Sequence, residues 1–559
     1  MHKLGWVACS VLVLSACKGT ALDLGETNVV EVAPLKVIVL AQTDTDAGVG
    51  GLLEEHMSTS LQPAPWQYQL FTLHPEAQQY LQQLNPYHLH IQALDKALPW
   101  QQTGGSLEDW DTSELDEMLP TTLESASEAM FQIMPPPILN NSNGPFFDDQ
   151  QNFDDDSVET FAKYCGYLVQ YYNRGGFTYP DDASTSVVNP NPGLPIHWWA
   201  IWGDFDTSGP TPTSRLNGEQ YGEIYNRAVE RMLAANGDAG EPLHFSAFEY
   251  GDPVNDPLPQ DLHAFLMEVS EPVDVVAIHM FPVDTPSATD DEVFQKIPTF
   301  ASLIAETVST VANADSGIRN AKVWVTENNV NSQAPAGLPG FIVDTRGTDL
   351  FFAAFRPYTF SQFGKSGNGA LFHWDFTAGN IDGGPNPDMD PQNAEMAYVT
   401  GTREISYWVD YWLTTLFPVS DTGPQLRILQ LQTPVGGTNV DLAPVALSDK
   451  VEVLAVQNSG DGSVVLMLVD FASGAALEGG PGIVDGKGVA RSFLVDVSGL
   501  GPFASGTIRI IDDPTADNSP LGPTTVVDVT NLSAIPVALP NYGVAFIRLL
   551  PVSTADAGH

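Results

Sequence analysis

The stretch HWWAIWGDFDTSG, residues 197–209, runs an apolar strand pattern into a glycine and two aspartates, Asp204 and Asp206. A second apolar run, KVWVTENN, ends in Glu327, Asn328 and Asn329. Carboxylates at the ends of buried strands can act as nucleophiles or move protons. Other strand-like runs end in comparable groups. LHFSAFEYG carries Glu249 and Tyr250, VDVVAIHMFP carries His279, and GALFHWDF ends in His373, Trp374 and Asp375. Asp204, Asp206, Glu249, Glu327 and Asp375 are thus the carboxylates that such strand ends would bring to one face. Trp202, Trp374, His279, Asn328 and Glu249 are candidate ligand contacts. Carboxylates beside flat aromatics suit a sugar, whose ring faces are apolar and whose scissile bond needs acid–base help. Two carboxyl groups about 5–5.5 Å apart would retain anomeric configuration, and about 6.5–9.5 Å would invert it.

Such residues need a scaffold that gathers many strand ends at one face. Eight strand candidates fall between residues 36 and 415: KVIVLAQ, YHLHIQALD, AMFQIMPPP, IHWWAIWGD, LHFSAFEYG, VDVVAIHMFP, KVWVTENN and GALFHWDF. Helix candidates intervene, among them 156–173, GEQYGEIYNRAVERMLAAN, LPQDLHAFLMEV, TFASLIAETVSTVANA and TDLFFAAFRPYTFSQFG. The alternation predicts an α/β fold, a (β/α)8 TIM barrel whose strand C-termini carry function. A doubly wound sheet is the alternative, but the chain has no convincing glycine-rich phosphate turn. After about residue 416 the pattern becomes short strands with Gly/Pro turns, beginning with the hairpin signal KVEVLAVQNSGDGSVVLMLVDF. This predicts a C-terminal all-β sandwich over 416–553 and a loose tail at 554–559.

On these motifs the chain resembles the clan A glycoside hydrolases, above all families 39, 51, 30 and 79, over roughly residues 36–550. WAIWGDFD aligns without gaps with their W-E-I-W-N-E-P-D type motif, and VTENN resembles their T-E-W/F-N nucleophile motif. AIHMFP resembles their S-x-H-x-Y-P, and ALFHWDF their last-strand tryptophan. The resemblance implies Glu327 as nucleophile and Asp204 as acid/base, with His279 and Trp374 matching the pattern. Three further positions depart from it. Gly203 stands where relatives carry the asparagine that contacts the sugar 2-hydroxyl. Phe281 replaces a tyrosine that hydrogen-bonds the nucleophile, and Phe205 replaces a proline. Asp204 itself is one methylene shorter than the usual glutamate, and errors of about 1 Å can cost about 100-fold in rate. The resemblance therefore implies either a retaining O-glycosidase acting on a polysaccharide or oligosaccharide, with an altered acid/base site, or a carbohydrate-binding protein without turnover.

The 559 residues include 22 Lys and Arg against 69 Asp and Glu, a formal net charge of −47. Long-range repulsion argues against nucleic acid and against anionic membrane surfaces as partners. The acidic loops DTDAG, FDDQQNFDDD and NIDGGPNPDMD lack the spacing of a calcium loop, so no metal and no cofactor are expected. Residues 1–17, MHKLGWVACSVLVLSAC, have a basic start and an apolar run too short to span a bilayer. They end like the lipobox of bacterial lipoproteins, which implies lipidation at Cys17, a tether and short strand over 18–35, and an exported protein held at the outer membrane or cell surface through a lipid anchor. Cys165 is then the one cysteine not assigned to the signal or the lipid. The helical spacing of Val158, Phe161, Cys165, Leu168, Val169 and Tyr172 makes it core filler.

Overall fold

The structure is a computed structural model. It describes most of the chain from residue 34 to residue 552, leaving out 41–58, 63–70, 93–109, 207–214, 252–257, 332–344, 377–394, 432–449, 475–487 and 512–523 and shorter stretches, among them Asp204 and Asp375. Cys17, the signal and tether segments up to residue 33, and the tail from residue 553 also lie outside the described residues.

In chain order the strands of the first half are β1 Leu35–Leu40, β2 Thr59–Gln62, β3 His88–Gln92, β4 Glu128–Ile133, β5 Gly176–Tyr179, β6 Asp182–Val188, β7 Trp198–Ile201, β8 His244–Tyr250, β9 Val275–Met280, β10 Lys322–Asn328 and β11 Ala370–Trp374. Eight of them close a parallel barrel in the order β10-β11-β2-β3-β4-β7-β8-β9. β5 and β6 form a separate antiparallel hairpin. The apolar run of β9 is buried on every residue, as a parallel strand covered on both faces must be. Trp198, Met130, Ala200, Val275, Ala277, Trp324, Ala370 and Phe372 pack together as the lumen core. Their neighbours Phe131, Trp199, Ile201, Val276, Val325 and Leu371 belong to the core between strands and helices. The adjacent tryptophans Trp198 and Trp199 thus face opposite ways, as strand alternation requires.

The helices are fixed by their ends. Asn217 and Gln220 form a capping box on Gly218–Asn236, and Thr289 and Glu292 form one on Asp290–Ala312. In Asp155–Arg174 the cap is Asp154, whose side chain accepts from the Asp156 N–H, and the left-handed Gly175 ends the helix. Cys165 is buried on its apolar face, where burial pushes the thiol well above its usual range. Leu350–Ser366 is buried almost all round because it lies between the barrel and the second domain. Its Ser361, Gln362 and Lys365 side chains all donate to the buried Glu452 on that domain.

That domain comprises β12 Leu426–Ile428, β13 Gln430–Leu431, β14 Val451–Asn458, β15 Val464–Asp470, β16 Arg491–Asp496, β17 Phe503–Ile511, β18 Thr524–Asp528, β19 Ala534–Leu539 and β20 Gly543–Pro551. A six-stranded sheet, β12-β14-β15-β20-β17-β18, faces a four-stranded sheet, β13-β1-β16-β19. The expected hairpin is present: β14 and β15 pair antiparallel, and Asn458 N–H donates to the Ser463 carbonyl.

One strand differs from the sequence reading. KVIVLAQ is expected to open the barrel at residue 36. Instead β1 pairs parallel to β16 and antiparallel to β13, and buries Val37 and Val39 in the sandwich core. The barrel opens with β2, TSLQ, which joins β11 to β3. Alternate burial of one face suits a strand in a sandwich better than a strand covered on both faces. Among the described residues, no helix is long and apolar enough to cross a membrane.

Candidate active site

The site is built by two irregularities in the barrel strands. Along β10, Trp324 faces the lumen, so plain alternation would turn Glu327 outward to the helices. The register to β9 shifts between Val325 and Glu327: two steps on β10 match the single step from Ile278 to His279. That extra residue is a β-bulge, and it reverses the facing of everything after it. Thr326 and Glu327 both reach lumen groups, whereas Asn328 reaches Arg356 on the outer helix. β8 carries a matching shift between Ala247 and Tyr250, with Phe248 at a φ of 81°. A bulky residue in the left-handed region is strained and persists only where its surroundings hold it. The Tyr221 hydroxyl does so here, accepting from Phe248 N–H at 2.8 Å and donating to the Ile201 carbonyl at 2.5 Å.

Between these bulges lies a row of three groups. His279 places Nδ1 3.4 Å from Glu327 Oε2 and Nε2 3.4 Å from Glu249 Oε2. Glu249 is fully enclosed; Ser246 donates to its Oε1 at 3.0 Å and Thr326 to its Oε2 at 2.8 Å. Burial pushes the Glu249 carboxyl up. The charge of His90 and the His279 and Thr326 hydrogen bonds outweigh it and hold the group below the ordinary carboxylate range. Glu249 is therefore an anion beneath His279, with both oxygens engaged by protein groups.

Around this row, Trp374 is half-buried and meets Phe281 edge to face, with ring centroids 5.8 Å apart. Trp202 is buried on Phe146 in the core outside the lumen. Asn328 is enclosed, donating to the Met280 carbonyl and accepting from Arg356. Asp206 is buried and accepts from the Gly251 N–H. Asp204, the acid/base candidate, falls outside the described residues. One residue the sequence reading passed over enters here. Gln132 on β4 shares the facing of Met130, so it projects into the lumen, and it is completely buried. A Cβ built on Gly203 would lie 1.8 Å from its Nε2. The signal in the sequence was one polar residue at lumen-facing parity in the apolar run AMFQIM.

Behind the last strand, His373 faces outward into a buried polar cluster. Its Nδ1 lies 2.6 Å from Glu395 Oε1 and 2.8 Å from Asp410 Oδ2, and Arg356 Nε donates to Asp410 at 2.9 Å. Among the described residues, His373, Glu395 and Asp410 are the group whose ligand atoms could surround a metal ion, all lying within 4.8 Å of one another. Arg356 already neutralises Asp410, and a metal would have to displace the Nδ1 proton that both carboxylates share. The cluster is better suited to holding protons. Burial would lower His373, but the two carboxylates raise it to about 9. Burial also lifts Glu395 well above its usual range, while Arg356 and His373 overcome burial and keep Asp410 far below its own. From this cluster Arg356 reaches Asn328, and Asn329 reaches both His373 and the Trp374 carbonyl.

No protein-family model matches the chain, and no curated protein does. Solved structures match across nearly its whole described architecture. A monomeric β-xylosidase from Caulobacter crescentus CB15 superposes with a TM-score of 0.59 at 12% identity, covering 93% of this chain and 100% of that one. A family 51 arabinofuranosidase from Xanthomonas axonopodis pv. citri gives 0.57 at 12% identity, covering 92% and 100%. A family 44 xyloglucanase from Paenibacillus polymyxa gives 0.53 at 11% identity, covering 93% and 100%. The chain shares the fold of these structures, a parallel (β/α)8 barrel joined to a β-sandwich.

Within this fold, the positions that depart from the resembled motifs have local physical causes. Gly203 is small because Gln132 fills the space a side chain would take. Phe205 stacks on Tyr221 at 4.3 Å between centroids, extending the aromatic core under the strand end. Phe281 spends its ring on Trp374 and has no hydroxyl to offer Glu327.

Proposed function

We propose that the chain hydrolyses O-glycosidic bonds of a polysaccharide or oligosaccharide with retention of anomeric configuration. Glu327 attacks the anomeric carbon as the bond to the leaving oxygen breaks. Asp204, by its place in the motif, donates the proton to that oxygen. In the second half, Asp204 takes a proton from water, which attacks the same carbon and releases Glu327. Trp374 offers an apolar face to the ring. The observation that carries this reading is the delivery of Glu327 into the lumen by a bulge, against His279 backed by the Glu249 anion. The test is release of reducing sugar from a glycan panel, with proton NMR of the first-formed anomer. Wild type should release the retained anomer, and Glu327→Gln should lose about a thousandfold or more. Activity indifferent to that substitution removes Glu327 as nucleophile.

A second reading, glycan binding without turnover, is favoured by the hydroxyl-free Phe281 against Trp374. Calorimetric binding with no product after long incubation would establish it in place of the first. For the N-terminus we propose a lipid anchor on Cys17, holding the protein at the outer membrane or cell surface. Metabolic labelling with a fatty-acid analogue should be lost in Cys17→Ser.

A further inference from the structure

We infer that Gln132 is a sugar-contacting residue whose carboxamide takes two neighbouring hydroxyls of a glycan ring, and that Gly203 is glycine because of it. The inference rests on the proposed carbohydrate site and adds a contact that none of the matching motifs contains. Gln132 is completely buried, yet neither Nε2 nor Oε1 has a hydrogen-bond partner among the described residues. A buried carboxamide with donor and acceptor both unmade is costly, and native proteins keep such groups where something else completes them. Its direction is fixed by strand parity: Phe131 and Ile133 on either side belong to the helix-layer core, and Met130 belongs to the lumen. Its height is fixed by pairing, since Gln132 lies beside Ala200 and the β7 end turns through Trp202 into Gly203. The orphaned amide therefore sits at the lumen's C-terminal end, beside the motif that carries Asp204.

The ligand chemistry follows from the group. A primary carboxamide offers N–H donors and a carbonyl acceptor side by side. Adjacent ring hydroxyls present the complement, one giving its proton to Oε1 while the next oxygen accepts from Nε2. A side chain at 203 and an extended Gln132 exclude one another, because the Cβ would sit 1.8 Å from Nε2. The two positions thus act as one unit, with the amide delivered from β4 in place of residue 203.

The test compares full-length wild type with Gln132→Met, an unbranched apolar residue of similar length, and with Gln132→Gly/Gly203→Asn. Without ligand, Gln132→Met should raise Tm by about 2 °C or more, since it removes two unmade buried polar atoms. On the glycan panel it should lose about tenfold or more in kcat/KM or, if there is no turnover, in calorimetric affinity. Gly203→Asn alone should lose stability and binding; the double variant should recover both at least in part. A fall in Tm for Gln132→Met would mean that the amide is already paired, and overturns the inference. So does unchanged affinity and kcat/KM. Wild-type turnover indifferent to Gln132 would sink this inference and spare the proposed function. Binding that depends on Gln132 without turnover would sink the hydrolytic reading and spare this one. Absence of both binding and turnover overturns both.

Discussion

The Nδ1 atom of His279 lies 3.4 Å from Glu327, and the Nε2 atom of the same ring lies 3.4 Å from Glu249. The orientation of the candidate nucleophile's neighbour is thus set by a buried anion whose oxygens also accept from Ser246 and Thr326. Glu249→Gln should cost about tenfold to 100-fold in kcat with KM changed less than about twofold, a loss of positioning rather than of binding. The sign of the pH effect follows. The folded-state value of Glu249 is lowered, so its stabilisation is present above the ordinary carboxylate range and lost as pH falls through the folded value. Thermal melts from neutral pH into acid should therefore fall less steeply for Glu249→Gln than for wild type.

The outer cluster predicts the opposite slope. His373 is raised to about 9, so its contribution is complete below the unfolded histidine range and disappears as pH rises through about 9. Glu395 is also raised, and its contribution likewise declines with rising pH. The cluster titrates as a unit that holds more protons folded than unfolded. Wild-type Tm should drop between about pH 7 and 9. In Glu395→Gln the drop should be shallower, and an equal slope in both proteins would contradict the assignment.

Tyr221 ties the end of β7 to the strained Phe248 of β8 through one hydroxyl. Tyr221→Phe keeps the aromatic stack with Phe205 but leaves the Phe248 N–H buried without its acceptor. It should destabilise by about 1–3 kcal/mol, read by chemical denaturation. Loosening of the β8 bulge should appear as faster amide exchange at Phe248.

The two tryptophans of the resembled motifs should separate cleanly. Trp374 is half-buried at the mouth, so Trp374→Ala should raise KM about fivefold to tenfold with little change in Tm. Trp202 is buried against Phe146, so Trp202→Ala should cost about 3–5 kcal/mol of stability. Protein that still folds should, on the proposed function, keep its KM.

The strands with long apolar runs were readable from sequence because burial on both faces leaves a plain signature. The short β2, TSLQ, has Leu61 as its one large apolar residue, and the more apolar β1 took its place in the reading. Motif order pointed to Glu327, His279 and Trp374 as candidates. It could not reveal the bulges, because an extra residue changes facing without changing composition. Strict alternation would have sent Glu327 to the helices. Glu395 and Asp410 carry no local signal; they reach His373 through packing from distant segments. Gln132 had a signal, a polar residue at lumen parity, but its meaning emerged only when Gly203 was found opposite it.

The pairing of β1 with β16 makes the barrel an insertion within the sandwich rather than a domain placed before it. During synthesis β1 leaves the ribosome first and must wait for its parallel partner until nearly the whole chain has followed. The barrel has all of its strands well before the sandwich can close, so the barrel is expected to fold while the sandwich core is still open. A cut between the domains would divide the sandwich from one of its own strands. Excising the barrel for engineering therefore calls for joining β1 directly to β12, a circular logic that a tandem arrangement would never impose.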